Sequence, residues 1–139
     1  MKWLISPLLV GLSSLLASDF TLTVKVNNIS DRNGHLRLLV FNEKKGFPNQ
    51  HGDAYRVLSQ KRTSSSTQTF SIQGLPQGTY AITALHDVNS NEKLDTNWIG
   101  IPKEPVGVSS YTPKMKPSWK KANFELTKDQ VISIELKQF

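Results

Sequence analysis

The sequence contains no cysteine. A disulfide framework, a zinc–thiolate centre and a cysteine nucleophile are all excluded by that absence. It has no long apolar run after its first eighteen residues, so no later segment could span a bilayer as a helix, which needs roughly 20 apolar residues. No window shows sustained helical spacing. Acidic residues are the scarcer sign, eleven Asp and Glu against seventeen Lys and Arg, for a formal charge of +6 at pH 7. What is present is an ordinary globular composition, with 37% hydrophobic and 20% charged residues in 139 positions. That length fits a single domain, and the apolar content is too high for a disordered tail.

The N-terminus reads as an address. Lys2 supplies a positive start, residues 3–16 are mostly apolar, and Ala17-Ser18 ends the run with small residues. This is the pattern of a secretory signal peptide over residues 1–18. The alternatives are an uncleaved membrane anchor or a buried first element, but a run of about 14 residues is short for a span. The mature domain would cover residues 19–139 and reside in the periplasm or outside the cell. Loss of Lys2 would lower the +6 by one.

The rest alternates with period two, the mark of half-buried strands. In Phe20-Thr21-Leu22-Thr23-Val24-Lys25-Val26 every second residue is apolar. Residues 35–41 place Leu36, Leu38 and Val40 on one face, and residues 79–85 place Tyr80, Ile82 and Ala84 together. Residues 69–72, 122–126 and 132–136 alternate as well, and residues 55–60 could be a strand or a short helix. Asp31-Arg32-Asn33-Gly34 fits a hairpin turn, and Gly74-Leu75-Pro76-Gln77-Gly78 is another connector. Six to seven short strands predict an all-β fold, a single antiparallel β-sandwich of immunoglobulin-like or transthyretin-like architecture, with a small barrel as runner-up. Residues 95–121 carry Pro102, Pro105, Pro113 and Pro117 and show no strand pattern. An excursion of that length in a small domain is more often functional than idle.

The chemistry concentrates in Asp87-Val88-Asn89-Ser90-Asn91-Glu92-Lys93-Leu94-Asp95. Asp87, Asn89, Asn91 and Asp95 place oxygen-bearing side chains at relative positions 1, 3, 5 and 9, and the Lys93 carbonyl falls at position 7. A hard cation such as Ca²⁺ takes six to eight oxygens, and a tight loop with such groups at alternate positions can point them inward. The loop follows a strand, so it is not an EF-hand. Two positions depart from a calcium loop. Glu92 stands where a sharp bend favours Gly, and a non-Gly residue in the left-handed region costs on the order of 1 kcal/mol. Trp98 stands where a bidentate Glu is usual, so a replacement ligand must come from elsewhere, with Glu104 the nearest carboxylate. Few charges predict a weak site, around 10⁻⁴–10⁻³ M. The bland alternative is an Asx-rich turn without an ion.

These residues also carry a resemblance. His86-Asp87-Val88-Asn89-Ser90-Asn91-Glu92-Lys93-Leu94-Asp95-Thr96-Asn97, then Gly100-Ile101-Pro102-Lys103-Glu104-Pro105, then Gly107-Val108-Ser109, resembles the bacterial domain of unknown function 2141. Gly74 through Ile82, Gly34 through Phe41 and Gly46-Phe47-Pro48 fit it too, and the match runs from about residue 20 to the C-terminus. Glu92 replaces the usual Gly of that family and Val108 its usual aromatic. The resemblance implies a small secreted domain of uncharacterised function and adds no enzymatic prediction. The Gly-Leu-Pro-x-Gly-x-Tyr step is also similar to transthyretin-like and collagen-adhesin B-type domains, which supports the sandwich.

Other candidates are weaker. His86 shares the face of Tyr80, Ile82 and Ala84, opposite Asp87, and could brace the loop. Lys114, Lys116, Lys120 and Lys121 surround Trp119. Such a patch could meet an anionic polysaccharide, a membrane surface or nucleic acid, and with Trp98 and Tyr111 it could form a surface for cell-surface polysaccharide or protein; alternatively the rings close the core and the lysines only keep a loop soluble. Nucleic acid is the least expected partner of a secreted chain. No Gly-x-Ser-x-Gly elbow occurs. The leading expectation is a non-enzymatic accessory or binding module. Its rival is a small periplasmic enzyme or ligand carrier with a pocket beneath residues 95–121.

Overall fold

A computed structural model describes residues 19–93 and 102–139. The predicted signal peptide, Asp95 and Trp98 lie outside the described residues. Among the described residues eight strands form: β1 (Asp19–Asn27), β2 (His35–Phe41), β3 (Arg56–Lys61), β4 (Gln68–Pro76), β5 (Gly78–Asp87), β6 (Val106–Val108), β7 (Phe124–Leu126) and β8 (Gln130–Glu135). A four-residue helix, α1 (Trp119–Ala122), precedes β7. One sheet has the order β4-β1-β8, the other β3-β2-β5-β6, with β7 also pairing β5. The expected all-β sandwich is therefore present, with one strand more than the six to seven predicted. Pairing is antiparallel except between β1 and β8, which run parallel. No helix among the described residues is long and apolar enough to cross a membrane.

The alternation places the core. Leu22, Val24 and Val26 of β1, Phe70 and Ile72 of β4, and Ile134 of β8 face Leu36, Leu38 and Val40 of β2 and Tyr80, Ile82 and Ala84 of β5. The ambiguous segment is strand β3, and its Leu58 packs against this core from the edge.

Two readings need correction. Asn33-Gly34 does not close a hairpin, because β1 and β2 lie in opposite sheets. Both strands carry an apolar face, and crossing between sheets lets the two faces meet across the core. Gly34 sits at φ 112°, pressed so closely on the backbone of Asp87 and Val88 that a Cβ would stand 2.3 Å from the Asp87 carbonyl oxygen. The proline-rich segment is not strandless either. It contributes β6, which pairs with residues 83–85 of β5, and α1. Three and four residues are too few to show a period.

The outer face of the second sheet is covered. Leu39 and Phe41 of β2 and Ala81 and Leu85 of β5 are buried although they point away from the main core. Phe47 meets Phe41 edge-on at 5.5 Å and Trp119 at 6.0 Å between ring centroids. Ala81, Val108 and Ala122 form a second cluster, with Phe47, Tyr111 and Trp119 packed on it. Ser109 ties cover to strand. Its amide donates to the Ile82 carbonyl at 2.9 Å, its hydroxyl accepts from the Ile82 amide at 2.9 Å, and the same hydroxyl donates to the Ala122 carbonyl at 2.7 Å.

The two sheets are also joined at one edge, where Val106 and Lys137 exchange both backbone hydrogen bonds, at 3.1 and 3.0 Å. Gly107 allows this approach, because a Cβ there would lie 2.3 Å from the Glu135 carbonyl oxygen. Gly107→Ala is expected to lower unfolding stability by about 1–3 kcal/mol. Gly52→Ala, whose added Cβ meets nothing within 4 Å, should stay within about 0.5 kcal/mol of the parent. Urea unfolding of the two variants checks the difference.

Candidate functional site

Strand β5 ends in Leu85-His86-Asp87, and alternation sends the last two side chains to opposite faces. Asp87 lies on the outer face, fully buried. A buried carboxylate must be paired and hydrogen-bonded to be tolerated. Its Oδ2 accepts from Nε of Arg37 at 2.7 Å and from the Glu92 amide at 2.8 Å. Its Oδ1 accepts from the Asn91 amide at 3.1 Å. Arg37 is itself buried, on the outer face of neighbouring β2. Its Nη1 donates to Ser59 Oγ at 3.0 Å. The exposed Glu92 carboxylate, at 3.9 Å from that nitrogen, adds little.

The chain then wraps around the Asp87 carboxylate. Asn89 Oδ1 accepts from the Asn91 amide at 3.2 Å, and Asn91 Oδ1 accepts from the Lys93 amide at 3.0 Å. These are successive Asx turns. Asp87 Oδ1 and Asn89 Oδ1 thus converge on a single N–H. Ser90 and Glu92 take left-handed backbone conformations, at φ 57° and 66°. The bend that the sequence places at the sixth position forms without glycine, held by the Glu92 amide on Asp87. His35 Nδ1 lies 2.7 Å from Ser90 Oγ and steadies the loop from the start of β2. From beyond, buried Glu104 accepts from the Val88 amide at 2.6 Å, and the Pro105 carbonyl accepts from the His86 amide at 3.0 Å.

The structure thus brings Asp87, Asn89, Asn91, Lys93 and Glu104 into one turn and its clamp. Arg37 is the participant that spacing did not reveal, since its partner lies 50 positions away. The available signal was a lone charge inside the apolar run Leu36-Arg37-Leu38-Leu39-Val40. Among the described residues no three His, Asp or Glu side chains converge as a metal cluster. An open cavity of about 460 Å³ adjoins the turn, lined by Arg37, His51, Val57, Asn91, Glu92 and Lys93.

His86 occupies the inner face as its alternation predicts, and it is fully buried. It does not reach the loop oxygens. Its Nε2 lies 3.0 Å from the Asn33 carbonyl and its Nδ1 lies 3.3 Å from Ser30 Oγ, so it braces the β1–β2 connection. Burial pushes its pKa below the usual histidine value, the charges of Arg32 and Arg62 push the same way, and the hydrogen bond to Asn33 opposes them. Trp119 and Tyr111 are half-buried in the outer cluster, and Tyr111 accepts from the Ser118 amide at 2.9 Å. Lys120 and Lys121 are exposed.

The family described as "Uncharacterized protein conserved in bacteria (DUF2141)" matches residues 24–134. The chain belongs to this family. No curated protein and no solved structure matches the chain. The DUF2141 match takes in most of both sheets, the whole Asp87 turn, Glu104 and α1.

Two outcomes follow from this geometry. Arg37→Ala leaves a buried carboxylate without its cation and is expected to cost about 3–5 kcal/mol in urea unfolding; a cost below about 1 kcal/mol would contradict the buried pair. For His86, the unfolded chain takes up a proton more readily than the folded one. Stability should therefore be full above about pH 6.5 and fall as pH drops below it. His86→Gln should flatten that decline in melts recorded between pH 7.5 and 5.

Proposed function

We propose that this chain is an exported, non-catalytic β-sandwich module that binds Ca²⁺ at the 87–95 loop and serves as an accessory or binding domain. The reading is carried by the convergence of Asp87 Oδ1 and Asn89 Oδ1 on the one amide of Asn91. That convergence is what alternate oxygen-bearing positions need in order to act together on a hard cation. Asn91 Oδ1 and the Lys93 carbonyl are the next ligands in the spacing, and Asp95 follows them. A bound Ca²⁺ would link the turn to the segment after it; Glu104 already clamps that segment to Val88. Arg37 sets the limit on affinity. It holds Oδ2 of Asp87, the first carboxylate in the spacing, and its charge opposes a cation nearby. The site is accordingly weak, about 10⁻⁴–10⁻³ M, as in extracellular modules.

Export rests on the apolar residues 3–16 that follow Lys2. The non-catalytic reading rests on the sequence, in which no Gly-x-Ser-x-Gly elbow occurs and the serines fall mostly in turns.

Thermal melting in 10 mM CaCl₂ tests the ion. For a Kd of about 10⁻⁴ M the expected stabilisation is roughly 2.7 kcal/mol. Asn89→Ala with Asn91→Ala should abolish that shift while the calcium-free protein stays folded, because both side chains are exposed. Asp87→Ala is a poor discriminator, since it also strands Arg37. No calcium shift in the parent chain would overturn the ion.

A further inference from the structure

We propose that the lysine-rich face around α1 docks on an anionic lipid surface, with Met115 entering the headgroup layer. The tip Lys114-Met115-Lys116 is exposed between buried Pro113 and half-buried Pro117. Met115 is 82% exposed, the most exposed large apolar side chain among the described residues. The tip is held in place by the Tyr111 hydroxyl, which accepts from the Ser118 amide, and by Ser118 Oγ, which accepts from the Lys121 amide at 3.2 Å. Lys120 and Lys121 extend from α1 beside it.

The fold adds charge from a distant part of the chain. Phe47 packs on Trp119, and this contact sets the turn that carries exposed Lys44 and Lys45 next to α1. The carboxylates of these segments are few. Glu43 shares the turn, Asp53 lies 3.7 Å from Lys45, and Glu125 accepts from Thr79 Oγ1. Among the described residues none of Lys114, Lys116, Lys120 and Lys121 is paired with a carboxylate. The surface therefore offers at least four uncompensated cations around one apolar tip.

The tip selects among polyanions. A sugar or a base would want flat exposed rings to stack on. Here the Trp119 ring packs against Phe47, and the Tyr111 ring lies beneath Lys121 Nζ at 5.9 Å. A flexible thioether flanked by lysines suits a bilayer interface, where the apolar tip enters and the ammonium groups meet phosphates.

The test uses residues 19–139, which hold all eight described strands. Their sedimentation is measured with vesicles of phosphatidylcholine containing 30% phosphatidylglycerol, and with vesicles of phosphatidylcholine alone. Binding is expected only to the anionic vesicles, and it should weaken as NaCl rises. Each lysine removed should lower partitioning about fivefold. Lys114→Gln, Lys116→Gln, Lys120→Gln and Lys121→Gln together should then lower it more than a hundredfold. All four side chains are exposed, so the variant should melt like the parent. Met115→Asp should weaken binding by at least tenfold, again with an unchanged melt. Equal binding to neutral vesicles, or an unaffected quadruple variant, would overturn the proposal. So would tighter binding to a soluble acidic polysaccharide that is indifferent to Met115→Asp.

Discussion

Strand β5 is buried on both faces, and much of the molecule answers that one demand. Every residue from Tyr80 to Asp87 is buried, although a strand in a two-layer antiparallel sandwich usually wets one side. The inner face is covered by β1, β4 and β8. The outer face is covered by material with little regular structure of its own: the Phe47 turn, α1, and the chain from Val108 to Tyr111. Beyond Val108, which pairs with Thr83, such cover has no strand pairing to hold it in place. Ser109 substitutes for pairing by tying the Ile82 backbone to the end of α1, and the Phe41–Phe47–Trp119 ring contacts hold the other side.

The same burial explains the form of the Asp87 turn. Continuing β5 by one residue into the interior brings a carboxylate with it, and an unpaired buried charge is far too costly to keep. Three N–H donors resolve this, one from a guanidinium and two from the chain that follows. The Glu92 amide reaches Oδ2 only because the backbone bends back in the left-handed region. The bend is therefore a consequence of satisfying Asp87, and it forms without glycine. An ion arriving there meets oxygens already gathered, which lowers the ordering entropy of binding, and also meets the charge of Arg37. On the inner face His86 poses the milder version of the same problem: burial lowers its pKa, and its two ring nitrogens lie within hydrogen-bond reach of the Asn33 carbonyl and Ser30 Oγ.

This division marks what the sequence could disclose. Strands facing one core betray themselves by alternation, so β1, β2, β4 and β5 were readable, down to the side on which His86 falls. The turn was readable because its oxygens are neighbours in the chain. The outer cover was not, because β6 and α1 are shorter than any period and their contacts join residues far apart. A hint lay in residues 35–41, where Leu39 and Phe41 make the run nearly continuously apolar, as expected of a strand covered twice. Asn33-Gly34 misled for a related reason: local turn chemistry reports that the chain bends, not which sheet it enters next.

The two surfaces with functional promise both belong to the outer layer, and the strand beneath sets their separation. The lysine-rich face sits over Ala81, while the oxygen-rich turn begins at Asp87. At about 3.3 Å per residue these points on β5 are roughly 20 Å apart. The Debye length at 0.1 M salt is about 10 Å, so the charges of one region are largely screened from the other. A cation in the turn therefore does little to repel the lysines, and an anionic partner at α1 does little to attract a cation to the turn. The extended strand thus keeps the lysine-rich face and the oxygen-rich turn electrostatically apart.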